Sequence, residues 1–143
     1  MPTIDFHVPW KVHPKQAMRI ARMANGRPRT YQPSLVVTNA RTLATFMAPH
    51  RPRQPLSGPL RATYVLTYPW LAGESQRSRK DGSRPKGTKP DCDNLGKQIS
   101  DTLERCGFFG NDAQIADLRV IKLWGDNVGV QITIEHLTPE SKR

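Results

Sequence analysis

A chain of 143 residues, 36% hydrophobic and with 13 prolines, has material for one modest core plus one or two long polar loops, so one domain is expected. Its formal net charge of +10 is uneven: residues 1–90 carry 16 basic and 3 acidic side chains, residues 91–143 carry 6 and 9, the pattern of a phosphate-binding surface beside an acidic cluster. Two cysteines exclude a disulfide framework and a CxxC zinc pair, no stretch nears the length of an apolar membrane span, and Met1 to Trp10 lacks the apolar run of a signal peptide; a cytoplasmic protein with reduced thiols is the expectation.

In chain order, Thr3 to Val8 alternates apolar and polar residues and predicts a short strand ended by Pro9. Residues 11–29 are strongly basic. Arg19, Ile20, Arg22 and Met23 suit a short helical turn, broken by Asn25-Gly26 and Pro28. Leu43, Phe46 and Met47 recur at helical spacing, which predicts a helix from about Thr38 to Pro49, followed by a proline-rich linker over 51–59. Leu60, Ala62, Tyr64, Leu66 and Tyr68 alternate with Arg61, Thr63, Val65 and Thr67, a strand with one face to the core.

Residues 70–90 differ in character. Past Leu71 and Ala72 the segment has no apolar side chain to bury, so it reads as a flexible basic loop. A helix starts near Asp93, where Leu95, Ile99, Leu103 and Cys106 form one apolar stripe and Gly107 supplies the stop. Phe108 and Phe109 anchor the turn that carries Asp112. Gln114 to Trp124 and Val128 to Leu137 read as strands joined at Gly125-Asp126-Asn127. The fold class is therefore α+β, a small mixed or antiparallel sheet packed by two main helices, in one domain spanning 1–143.

The chemistry concentrates at Lys89-Pro90-Asp91-Cys92-Asp93-Asn94-Leu95-Gly96-Lys97. Residues two apart in an extended stretch point the same way, so the Asp91 and Asp93 carboxylates can converge on one cation. Asp112 joins them only if the segment after a helix of about 20 Å doubles back alongside it. Oxygen-only ligands favour Mg²⁺ or Mn²⁺ over Zn²⁺, and such an ion suits phosphodiester hydrolysis. Lys97, four residues after Asp93, shares its helical face and can hold a phosphate oxygen. In the purely structural alternative, Asp93 caps the helix, Asp91 sits in a turn near the helix dipole, and Lys97 pairs with Asp93 or Asp101. The twelfth position from Asp91 is Thr102, which rules out an EF-hand. The four histidines are scattered, and no serine has a believable His/Asp partner.

The run from Lys89 to Ile115, KPDCDNLGKQISDTLERCGFFGNDAQI, resembles the RusA-type Holliday junction resolvases, small phage and prophage enzymes of bacteria, through the pattern K-P-D-x-D-N-L-x-K-x(3)-D-x-L followed by Gly, an aromatic and an acid before Gln. Gly26-Arg27-Pro28-Arg29 is similar to a basic stretch near the family's N-terminus. The resemblance implies a homodimer acting on four-way DNA junctions in recombination and repair. It implies Mg²⁺-dependent paired nicks that leave 5′-phosphates, three essential aspartates at Asp91, Asp93 and Asp112, and a lysine at Lys97. The family often has Asp-Asp where this chain has Asn111-Asp112; the essential second acid is kept. Phosphate contacts are expected from Lys11, Lys15, Arg27, Arg29, Arg77, Arg79, Arg84, Lys86 and Lys89. Two other classes fit the basic surface: a non-catalytic DNA-binding module, and a nuclease for forks or flaps.

Overall fold

The structure is a computed structural model that describes residues 3–13, 19–22, 28–31, 34–73, 79–80 and 82–137. Its centre is β4, Leu60–Tyr68, whose five alternate apolar side chains are all buried. On one side β4 pairs antiparallel with β7, Gly129–His136; on the other it pairs parallel with β6, Ile115–Gly125. β1, Ile4–Val8, closes one edge against β7, and a three-residue strand β5, Ser83–Pro85, pairs with the end of β6. The order is β1-β7-β4-β6-β5, a five-stranded mixed sheet.

Two parallel strands cannot be joined by a tight turn and need a crossover. Here the crossover is α2, Cys92–Cys106, which lies along β6. Leu95, Ile99 and Leu103 of its predicted stripe are fully buried, together with α1 residues Leu43 and Met47 and the turn residues Phe108 and Phe109. Gly107 ends α2 in the left-handed conformation at φ 90°, which glycine adopts without steric cost. Gly96 lets the helix close on the sheet, since a Cβ there would sit 3.0 Å from a Val120 methyl. Both main helices contribute to the core on one sheet face. The opposite face carries Asp5, Arg61, Thr63, Gln131, Thr133 and Glu135, none of them buried.

The α+β class with two helices on a mixed sheet is as the sequence indicates; several elements differ. Arg19–Arg22 is a strand, β2, paired antiparallel with β3, Pro28–Tyr31, not a helical turn. Pairing with a second strand outweighs the weak helical spacing of four residues. The helix expected at 38–49 is α1, Ser34–Met47, followed by a 3₁₀ turn at Ala48–His50 that takes up Pro49. β6 and β7 do not form a hairpin: they flank β4, and the Gly125-Asp126-Asn127 segment spans its end. β5 has no strand signal in the sequence, because three exposed residues supply no hydrophobic alternation. Among the described residues, no helix is long and apolar enough to cross a membrane.

Candidate active site

The acidic pair is positioned by the start of α2. Asp91 is the N-cap, extended at φ −76° and ψ 141°, and its carbonyl accepts the first helical hydrogen bond from the Leu95 amide at 3.1 Å. Its carboxylate makes no capping hydrogen bond, although that is the usual stabilising use of Asp at this position. Asp93 lies within the first turn, and both acids are exposed. Asp91 rather than Asp93 is thus the cap residue. The extended-strand reason for their convergence does not apply, since Cys92 is already helical. They are close in sequence at a helix start, and both are exposed to solvent.

Lys97 is exposed one turn beyond Asp93, on the same helical face. Among the described residues it makes no ion pair with Asp93 or Asp101; the ion pairs there are those of Arg61 with Asp117 at 2.9 Å and with Glu135 at 3.5 Å. The structural use expected for Lys97 is therefore not made.

Asp112 stands elsewhere. It opens a 3₁₀ turn, Asp112–Gln114, whose cap is Asn111: the Asn111 side chain accepts from the Ala113 amide, and the Gln114 side chain accepts from the Asn111 amide. Gln114 also donates to the carbonyls of Leu56 and Gly58. The Asp112 amide donates to the Glu104 carboxylate at 2.6 Å, which ties it to the last turns of α2. Glu104 is eleven residues past Asp93, or roughly 16 Å at the helical rise. The chain does double back, but Asp112 precedes the returning strand. The β6 residues that reach the start of α2 are Val120, whose carbonyl lies 3.7 Å from the Cys92 sulfur, and Lys122. Among the described residues no three His, Cys, Asp or Glu side chains form a group able to hold a metal ion. Asp91 and Asp93 thus share the start of α2, while the Asp112 backbone is tied to Glu104 near its far end and the Asp112 charge is felt at the Tyr64 hydroxyl, which bonds Ser100 midway along the helix.

Positive charge gathers on the opposite side of the pair. The Lys122 ammonium donates to the carbonyls of Thr88 and Pro90, each at 2.6 Å, fixing the segment that leads into Asp91. Lys86, only 8% exposed, donates to the Thr88 hydroxyl at 2.7 Å and lies 3.8 Å above the Trp124 ring and 5.4 Å from that of Tyr68. Burial, then repulsion from Lys122 and Lys11, lowers its pKa. The sequence reads Lys86 as a loop cation and supplies it with no apolar neighbours; the aromatic partners come from β4 and β6, distant in the chain. Lys122, Tyr68 and Trp124 are absent from the sequence-derived site. A lone lysine in the apolar run Val120 to Trp124 is the only sequence signal for them.

Of the other expected phosphate ligands, Lys11 and Lys89 line the same cavity as Lys86. Arg79 is exposed and Arg84 lies on β5, away from that cavity's lining. Arg29 belongs to β3. Lys15, Arg27 and Arg77 lie outside the described residues.

Comparison with known proteins gives two matches. The family model Endodeoxyribonuclease RusA matches residues 9–135. A Bacillus subtilis (strain 168) protein described as uncharacterized protein YqaN is 26% identical over 119 residues, which cover 80% of this chain and 83% of the relative.

Proposed function

Since the chain belongs to the RusA endodeoxyribonuclease family, a family of DNA endonucleases, we propose that it is a divalent-metal-dependent resolvase that nicks four-way DNA junctions in pairs, within recombination and repair. The observation that carries this reading is the Asp91–Asp93 pair at the start of α2, with no capping bond on Asp91 and a lysine-lined cavity alongside.

The donor set fits a hard cation, Mg²⁺ with Mn²⁺ as a substitute, because it offers carboxylate oxygen alone. Among the described residues no third acid groups with Asp91 and Asp93. In the proposed homodimer, Asp112 of a second copy would complete the set. When bound, the ion would polarise the phosphodiester and acidify an attacking water. The chain's own residues do the rest. Asp91 and Asp93 hold the ion, and Lys97 meets a non-bridging phosphate oxygen as charge builds on it. Lys11, Lys89 and the basic residues outside the sheet carry the flanking backbone without reading sequence. A two-fold dimer sets two such sites on opposed strands of a symmetric junction.

The test compares four-way, three-way, flap and linear duplex DNA, each with and without Mg²⁺. Symmetric nicks with 5′-phosphate ends, confined to the four-way substrate and abolished by chelator, are the expected result. Preferred cutting of flaps or forks would reassign the substrate. Binding with no product at any Mg²⁺ concentration would leave a non-catalytic DNA-binding module.

A further inference from the structure

Beside the Asp91 cleft lies a cavity of about 440 Å³, whose volume and aromatic lining the cleavage mechanism above does not use. Lys11, Lys86 and Lys89 contribute amines to its lining. Among the described residues none of these amines has a carboxylate partner within 4.0 Å. After burial, the charges of Lys122 and Lys11 lower the Lys86 pKa, and an anion would relieve that repulsion. The rest of the lining is largely aromatic and aliphatic. Trp70 is half-buried there, its indole N–H donating to Asp126 at 2.8 Å, so the ring is held in one orientation. A phosphate group alone would leave most of this space empty, while volumes of about 300–1,000 Å³ suit whole small ligands. Lys89 and Pro90 line both this cavity and the cleft that contains Asp91 and Asn94, so the two are adjacent.

We propose that this cavity holds one nucleotide of the DNA, unstacked at the branch point, with its phosphate on the Lys11, Lys86 and Lys89 amines and its base against Trp70. The proposal rests on the nuclease reading and adds to it the means by which a branch is told from a duplex. A base stacked on both faces within a duplex cannot enter, and unstacking costs least where the stack is already interrupted. Aromatic contact with a single base is tolerant of sequence, so the cavity selects structure rather than a base.

The experiment measures junction affinity, without divalent ion, along two series of four-way junctions. One series carries a single abasic residue, the other a single uncharged methylphosphonate linkage, moved stepwise through the branch point. For the unaltered protein, one position in each series weakens binding about tenfold. Trp70→Ala removes the sensitivity to the abasic residue and retains that to the methylphosphonate; Lys86→Met does the reverse. Lys11→Ala, at an exposed position, reproduces part of the Lys86 effect and serves if Lys86→Met does not fold. If Lys86 merely braces the Thr88 segment, its replacement lowers the melting temperature and leaves both position profiles unchanged, which overturns the proposal. Flat profiles for a protein that still cuts four-way junctions overturn it alone. A protein that cuts no branched DNA overturns it together with the reading beneath it.

Discussion

Asp91→Asn protein is expected to bind a four-way junction at least as tightly as the unaltered chain and to cut it on the order of 10³-fold more slowly, about 4 kcal/mol of lost transition-state stabilisation. The substitution is nearly isosteric, and asparagine is as good an N-cap as aspartate. Asp91 makes no capping hydrogen bond to lose, so the start of α2 should be undisturbed; the loss of charge at the helix dipole is worth only about 0.3–1 kcal/mol. Without a metal ion a carboxylate beside a phosphodiester is repulsive, so its removal does not weaken binding. Measured together, single-turnover cleavage and equilibrium affinity separate chemistry from association. Unchanged cutting would remove Asp91 from the site, and a parallel loss of binding and melting temperature would return it to a structural role.

The second large effect concerns salt. Each phosphate neutralised by Lys or Arg releases counterions, and six to ten such contacts cost about 10³–10⁵ in affinity between 50 and 200 mM salt. The chain carries 22 basic residues, and Lys11, Lys86 and Lys89 line one cavity next to the cleft of Asp91. Affinity for the four-way junction is expected to fall within that range, and Lys89→Ala should lower the slope by about one phosphate. An affinity nearly constant over this interval would contradict the phosphate-tracking surface, and with it both the nuclease and the non-catalytic readings.

The parts of the fold legible in sequence are those with long periodic signals. Nine alternating residues mark β4, and four apolar residues at helical spacing mark α2. Short elements are a different matter. β5 has three exposed residues and exists because β6 offers it an edge. β2 owes its conformation to β3. Chain order also conceals that β6 and β7 are separated by β4, since a short connection looks the same whether it closes a hairpin or spans a strand end.

The candidate site divides in the same way. Asp91, Asp93 and Lys97 are local to one helix start, so their relation follows from spacing. Asp112 depends on where a turn stops, and that is decided by contacts a sequence does not display: the Glu104 carboxylate on its amide, and Gln114 bound to the carbonyls of Leu56 and Gly58. The turn is pinned one short step before the strand that returns to Asp91. Asn111, which stands where the family often has an acid, acts as the cap of this turn. Lys86 is hidden for a related reason. Its neighbours Tyr68 and Trp124 lie 18 and 38 residues away in the chain and meet it only because β4 and β6 are adjacent.

The most direct measurement replaces the divalent ion with Fe²⁺ on the junction-bound protein and uses peroxide and ascorbate to cut the polypeptide wherever the iron is held. Cleavage in two places, around residues 90–94 and around residues 111–113, with both lost in Asp91→Asn, is the predicted result. It would mean that Asp112 joins Asp91 and Asp93 at one ion in the assembled enzyme. Cutting near 90–94 alone, or at neither place, would contradict a three-aspartate centre.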